Sequence, residues 1–268
     1  MLAAVAIVVL AVSSAVWLAE WRQWPWAEPA LHRLDRVRAW VIAYVALSPA
    51  TFIYLFVLVV TSWVLRSSTA VTSQSLLATH STNLHNLRAD PVGVLVTSAF
   101  WLDSPQLGSW ALLFGAVMAP AERWLGSLRM VVAFATGHVV ATLVTAWALD
   151  RDLFGLSGDD AGRRAVDVGV SYGFWCIAAL FTYRLPWRWR WIWAGAVTAF
   201  VVVPFLTERS FTSFGHVIAT GVGFALYPVT RWSVVRARRA LPIWRPPAPA
   251  VEAARQSMNA RRQARRPG

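Results

Sequence analysis

Two short stretches, Asp167-Val-Gly-Val-Ser-Tyr-Gly173 and Ser213-Phe-Gly-His216, each stand where a long apolar segment begins. They place a hydroxyl, Ser171, near the start of one predicted helix and an imidazole, His216, near the start of another. Polar side chains inside hydrocarbon are costly unless they meet a partner. If these two side chains meet each other, they form a nucleophile and its base within a membrane.

The composition predicts an all-α polytopic membrane protein. Hydrophobic residues make up 57% of the 268 residues and charged residues only 14%. Apolar segments of transmembrane character recur along the whole chain, at residues 2–19, 48–65, 105–121, 130–148, 168–183, 191–206 and 213–229. The last six segments form a compact set. The single cysteine, Cys176, excludes an intramolecular disulfide and any multi-cysteine metal site.

The chain divides into an N-terminal part at 1–47, a transmembrane core at 48–229 and a basic tail at 230–268. Residues 2–19 form either an additional N-terminal transmembrane helix, which we favour, or the hydrophobic part of a signal peptide. The segment lacks a basic start and a clear cleavage signal, which argues against the signal peptide. We expect the Pro- and Arg-rich tail to be disordered or to lie on anionic lipid.

The arginine distribution predicts the orientation of the chain. All 25 basic residues are arginines. Nineteen of them lie in four segments, residues 20–38, 122–129, 184–190 and 231–268. By the positive-inside rule these segments and the C-terminus are cytoplasmic, and the ends that carry Ser171 and His216 face outward. The net charge of +12 therefore reflects topology, and we expect a multi-pass protein of a bacterial plasma membrane with no nucleic-acid partner.

Small residues provide a way for Ser171 and His216 to meet. One span carries Gly169-xxx-Gly173 and another carries Gly215-xxx-Ala219-xxx-Gly223. Helices in lipid approach closely where such small residues face each other. Contact between the two ridges would bring the hydroxyl near the imidazole.

The residues around this pair allow more than one interpretation. Asp167 is a natural N-cap for the helix that follows, which we favour, or the third member of a triad that orients His216. Trp175 lies one helical turn beyond Ser171, so that it either stacks on His216 or faces lipid. The backbone N–H of Ser171 lies at a helix N-terminus, where the dipole favours a developing oxyanion.

On these residues the sequence resembles the rhomboid intramembrane serine proteases, over about residues 48–229. Gly169-Val-Ser171 resembles the Gly-x-Ser motif of that family. His216, preceded by Gly215, corresponds to the histidine of the family's last core span. The stretch Ala121-Glu122-Arg123-Trp-Leu-Gly126-Ser127 resembles the family's Glu-x-Arg and Gly region. The resemblance implies a six-helix core, a Ser-His dyad, no cofactor, and a single-span membrane protein as substrate.

Two departures from the family pattern bear on catalysis. Tyr172 stands where the family usually has glycine, and Gln106 and Trp110 stand where it has His-xxx-Asn to support the oxyanion. Gln106 can donate through its amide, whereas Trp110 has only an indole N–H. Asn83 and Asn86 are candidate substitutes. These departures favour a divergent rhomboid-like branch, and the alternative function is a catalytically inactive protein that binds transmembrane helices.

The remaining polar residues predict no metal site. His138 lies in the middle of a span without further ligands at its depth, and a hydrogen-bonded packing role fits it better. His80 and His85 lie in a loop without acidic neighbours. Glu122 and Arg123 are expected to form an ion pair in a loop or to cap a helix.

Overall fold

The computed structural model describes Ser14, Arg22, Leu153 and residues 27–102, 107–151 and 168–264. Nearly all of these residues are helical, and they include no strand. The chain is thus an all-α protein, as the composition predicts.

The helices are numbered in chain order. They are α1 (Glu28–Ala46), α2 (Pro49–Ser67), α3 (Ala70–Thr79), α4 (Leu84–Ala89), α5 (Pro91–Thr97), α6 (Leu107–Leu113), α7 (Ala119–Leu125), α8 (Ser127–Asp150), α9 (Ser171–Phe181), α10 (Trp187–Glu208), α11 (Phe211–Ala225), α12 (Ser233–Ala237) and α13 (Ala248–Ala264). Short 3₁₀ turns follow several of them, at Ser98–Phe100, Thr182–Arg184, Tyr227–Arg231 and Arg238–Ala240.

The chain forms two units. Residues Ser48–Trp244 make up the larger one, and α1 packs with α13 in the other. The core therefore extends beyond residue 229, where the sequence places its end. The reason is that Val235 and Ile243 are buried in the core, and the Ile243 carbonyl accepts a hydrogen bond from the Arg123 guanidinium at 2.7 Å. Residues 248–264 form a helix, where the sequence suggested a disordered tail.

Among the described residues, three helices are long and apolar enough to cross a membrane by themselves: α2, α8 and α10. They correspond to the predicted spans 48–65, 130–148 and 191–206. The other three core spans are built from shorter pieces that include π or 3₁₀ turns. The segment at 2–19, predicted as an additional span, lies outside the described residues apart from Ser14.

The second core span contains a wide helical turn. Between α6 and α7, residues Phe114–Met118 form a π-helix, in which hydrogen bonds connect residues five apart. The indole N–H of Trp244 donates to the Ala116 carbonyl at 3.1 Å. The last residues of the core thus contact the turn directly.

A buried carboxylate caps the first core helix. Glu122, which is 1% exposed, accepts hydrogen bonds from the backbone N–H groups of Ala50 at 2.9 Å and Thr51 at 2.8 Å. The hydroxyls of Thr51 and Ser127 donate to the same carboxylate. A negative charge at a helix N-terminus is also favoured by the helix dipole. The expectation that Glu122 caps a helix is confirmed.

The segment that carries His80 and His85, predicted as a loop, connects α3 to α4 and includes part of α4. Each helix begins at a residue whose side chain accepts a hydrogen bond from the first turn: Thr69 from the Thr72 N–H, and Asn83 from the Asn86 N–H. Local capping of this kind stabilises short helices.

Helix α9 lies at the centre of the bundle. Of its residues, only Ser171 and Trp175 are more than marginally exposed. It packs against α8 and α11 through glycines, because a Cβ at Gly137 of α8 would overlap the Cys176 side chain and one at Gly223 of α11 would overlap the Cys176 carbonyl. This close packing fixes the positions of the side chains at the start of α9 relative to α11.

Candidate functional site

The nucleophile candidate Ser171 is the first residue of α9. The chain enters the helix through Gly169, whose φ of +125° is a conformation that side chains rarely adopt. The Gly169 N–H donates to the Ser98 carbonyl at 2.9 Å. The turn that presents Ser171 is therefore held by the 3₁₀ turn after α5.

The imidazole candidate His216 lies in the second turn of α11. Ser210 caps this helix, with its hydroxyl accepting a hydrogen bond from the Ser213 N–H at 3.2 Å. Two aromatic rings of α9 contact the imidazole: Tyr172, with ring centroids 5.5 Å apart and edge-on, and Trp175, at 6.1 Å and tilted. The two rings restrict the orientation of the histidine.

Ser171 and His216 line the same cavity, which has a volume of about 820 Å³. Its walls come from α6, α9, α10 and α11, and they are largely apolar. The other hydroxyl groups on these walls belong to Ser109 and Thr212. The structure thus brings the predicted nucleophile and base to the walls of one cavity between four helices.

The two side chains are not hydrogen-bonded to each other in this structure. The Nε2 atom of His216 is buried and has no hydrogen-bond partner among the described residues. Catalytic hydrogen bonds are often long in the absence of substrate and shorten only when it binds. Ser171 and His216 therefore line the same cavity, but they do not form a hydrogen-bonded dyad in this structure.

The small-residue ridges pack differently from one another. Gly215 and Gly223 face α9, since a Cβ at Gly215 would overlap the Tyr172 ring. This part of the sequence prediction is confirmed. Gly173 instead faces Phe134 of α8, because Tyr172 occupies the side of α9 that points to α11. A ring, and not a second glycine, lies opposite the ridge of α11.

Trp175 contacts His216, as one of the two interpretations of the sequence expected, although the rings are tilted and not stacked. Its other face packs on Phe200 of α10, with centroids 5.0 Å apart. Asp167, the candidate cap or triad member, lies outside the described residues.

The candidate oxyanion donors that the structure describes do not lie together. Gln106 lies outside the described part of the chain. Trp110 lines the cavity and packs edge-on against Phe174, with centroids 5.3 Å apart. No asparagine or glutamine side chain is found among the described residues that line this cavity.

Asn83 and Asn86 make local hydrogen bonds in the segment between α3 and α4. The Asn86 amide donates to the carbonyls of Ala78 at 2.7 Å and Ser81 at 2.9 Å, and the Asn83 carbonyl oxygen accepts from the Asn86 N–H at 2.9 Å. Neither residue lines the cavity. In this conformation they hold the segment between α3 and α4 together and do not line the cavity that contains Ser171.

His138 has a structural partner that the sequence did not indicate. Its Nε2 atom lies 3.0 Å from the Leu95 carbonyl and 3.3 Å from the Ser98 hydroxyl. The expectation of a hydrogen-bonded packing histidine is confirmed. Where the structure is described, no group of three potential metal ligands occurs.

The comparison with known proteins yields one match. A protein-family model described as rhomboid-like protein matches residues 43–236, which is well over half of the chain. No curated protein and no solved structure matches the chain.

Proposed function

Because the chain belongs to the rhomboid-like protein family, we propose that it is an intramembrane serine protease with Ser171 as nucleophile and His216 as general base. The observation that carries this proposal is the shared cavity: the two side chains lie at the starts of adjacent helices and line one space of about 820 Å³. A serine becomes a nucleophile at neutral pH when a base takes its proton, and histidine is suited to that task.

The proposed reaction begins with attack of the Ser171 Oγ on the scissile carbonyl carbon. His216 takes the hydroxyl proton and later delivers it to the leaving amine, and water then hydrolyses the acyl-enzyme by the same steps in reverse. No side chain among the described residues caps the first turn of α9, and backbone N–H groups at a helix N-terminus are suited to stabilise an oxyanion. Ser171 can pass its proton to His216 only after a hydrogen bond forms between them. We expect the two side chains to move into hydrogen-bond distance when substrate enters the cavity.

The proposed substrate is a single-span membrane protein with a segment that unwinds readily. Helix α10 supports this, because it forms one wall of the cavity and buries only Val197 and Val201. A helix held by so few buried side chains can move aside at little cost, which would let a substrate helix enter from the lipid. Lipid and a transmembrane helix are therefore the proposed partners.

The proposed location is the bacterial plasma membrane, with the C-terminus in the cytoplasm. The arginine distribution supports it, since nineteen of the 25 arginines lie in the segments assigned to the inside. Reporter fusions after residues 151 and 268 test the orientation. Activity of an exported reporter at the second position would contradict it.

A second candidate function is binding of transmembrane helices without cleavage. It is favoured by the Nε2 atom of His216, which has no partner in the described part of the chain, and by Trp110, which stands at an oxyanion position and packs against Phe174. Removal of one oxyanion donor from a serine protease lowers kcat by about 10²–10³. The described residues that line this cavity include no side-chain amide, and a protease that lacked such a donor would be slow or inactive.

A fluorophosphonate probe distinguishes the two functions. The protein in detergent is treated with the probe beside Ser171→Ala, His216→Ala and the control Ser109→Ala, which removes another hydroxyl from the same cavity. If the protein is a serine protease, the probe should label the wild type and Ser109→Ala but neither Ser171→Ala nor His216→Ala. An unlabelled wild type, or labelling that survives Ser171→Ala, would exclude the proposed nucleophile.

A further inference from the structure

Three arginines converge at the end of α9 opposite Ser171. Arg190 of α10 donates to the carbonyls of Tyr183 and Leu185, both at 3.3 Å, and Arg239 donates to the same Tyr183 carbonyl at 3.1 Å. Arg184, which directly follows Tyr183, donates to the Leu241 carbonyl at 2.8 Å. Backbone carbonyls thus position three guanidinium groups around one short turn, and we call them the arginine cluster.

The cluster carries positive charge that the described residues do not neutralise. None of its members forms an ion pair with a carboxylate in the described part of the chain. Burial, and secondly the charge of Arg239, lower the pKa of Arg184 from its ordinary value. Like charges that lie near each other repel, so a bound anion would stabilise the arrangement.

Unused donors point to the same conclusion. A guanidinium group has five N–H donors. The Nε–H groups of Arg184 and Arg190 are buried and have no partner among the described residues. Buried polar groups are nearly always hydrogen-bonded, so that each such group requires a partner. The described residues thus leave part of the hydrogen-bonding capacity of the cluster unsatisfied.

The surroundings indicate the depth of the cluster in the membrane. Trp187 and Trp191, on the same turn of chain as Arg190, are 67% and 60% exposed, with ring centroids 5.3 Å apart. Exposed tryptophans of membrane proteins concentrate at the level of the lipid headgroups. The arginine cluster therefore lies where lipid phosphates are found.

We propose that Arg184, Arg190 and Arg239 form a binding site for a phosphate group, supplied by the headgroup of an anionic lipid. Guanidinium groups recognise phosphate through paired, charge-assisted hydrogen bonds. The bound headgroup connects the end of α9 with α10 and with the 3₁₀ turn after α12. This inference does not depend on the proposed protease activity.

The test is thermal unfolding of the full chain in a neutral detergent, with added phosphatidylglycerol, phosphatidylcholine or inorganic phosphate. Phosphatidylglycerol is expected to raise the Tm of the wild type at lower concentration than the other two. The apparent affinity should fall about fivefold in Arg190→Gln and about 100-fold when all three arginines are changed to glutamine. Arg188→Gln is the control, since Arg188 is an exposed arginine two residues from Arg190.

Each outcome has one meaning. A shift by phosphatidylglycerol alone that is lost in the cluster variants supports a headgroup site. An equal shift by inorganic phosphate, also lost in the variants, assigns the site to free phosphate. The proposal is overturned if phosphatidylcholine produces the same Tm shift, or if the shift persists in the cluster variants. It is also overturned if Arg188→Gln loses the shift equally, or if no lipid shifts the Tm of the wild type. If the triple variant does not fold, Arg190→Gln decides the test. The two hydrogen bonds that Arg190 donates are long, at 3.3 Å, so their loss should leave the fold intact.

Discussion

The backbone N–H of Gly169 donates a hydrogen bond to the carbonyl of Ser98, at 2.9 Å. The Ser98 hydroxyl lies 3.3 Å from Nε2 of His138, so that α8, the turn after α5 and the turn before Ser171 form one connected unit. The position of the proposed nucleophile therefore depends on residues that do not line its cavity.

His138→Ala should weaken this connection. The substitution removes the partner of Ser98 and of the Leu95 carbonyl, and leaving buried polar groups unpaired costs about 1–3 kcal/mol each. We expect a lower Tm together with slower fluorophosphonate labelling of Ser171. His138→Gln, whose amide can still donate, should recover part of both. Normal labelling in His138→Ala, despite a lower Tm, would show that the turn is held by other contacts.

Gly169→Ala should displace Ser171 with little effect on the rest of the core. A φ of +125° is strained for alanine, and its Cβ would lie 3.4 Å from the Trp101 carbonyl oxygen. Residues forced into such regions cost of order 1–3 kcal/mol. Labelling of Ser171 measures the effect. Gly195→Ala in α10 is the control, because no atom lies within 4 Å of its added methyl group.

Gly215→Ala should separate α9 from α11. The added methyl would overlap the Tyr172 ring, and overpacking of this kind costs about 1–3 kcal/mol. Because His216 follows directly in the chain, labelling of Ser171 should fall along with the Tm. Gly221→Ala lies on the same helix with open space around it and should be neutral or slightly stabilising. If both variants behave alike, close approach at Gly215 is unimportant.

Glu122→Gln should destabilise the core by about 2 kcal/mol or more. The carboxylate accepts hydrogen bonds from four donors, and the amide nitrogen of glutamine would face some of them. Unfolding in detergent compares it with Glu208→Gln, an exposed carboxylate at the end of α10. An equal effect of the two changes would mean that the cap contributes nothing beyond surface charge.

The sequence predicts the helical class, three of the core spans and the ridge of α11, because apolar runs and small-residue spacing directly reflect membrane packing. It does not predict which side of α9 faces α11. That depends on Tyr172, whose ring occupies the space opposite Gly215, and a four-residue spacing of glycines carries no information on such a ring.

The assignment of Asn83 and Asn86 shows a second limit. Their place in a polar segment made them candidate oxyanion donors, yet the Asn86 amide donates to nearby carbonyls and the Asn83 oxygen accepts from the Asn86 N–H. Nearby backbone groups compete with a distant substrate for the hydrogen bonds of an asparagine side chain. Which backbone groups are near depends on the tertiary fold and cannot be read from the sequence. Val235 and Ile243 were missed for a similar reason, since isolated apolar residues among arginines resemble a solvated tail.

The contact between Trp244 and Ala116 has a consequence for biogenesis. Trp244 and Ile243 bond to residues that lie 128 and 120 positions earlier in the chain. Segments are synthesised and inserted in order, so the π-helical turn and α7 enter the membrane long before their last partners leave the ribosome. A ribosome stalled shortly after residue 230 would hold a chain whose spans have all been made but whose core is still incomplete.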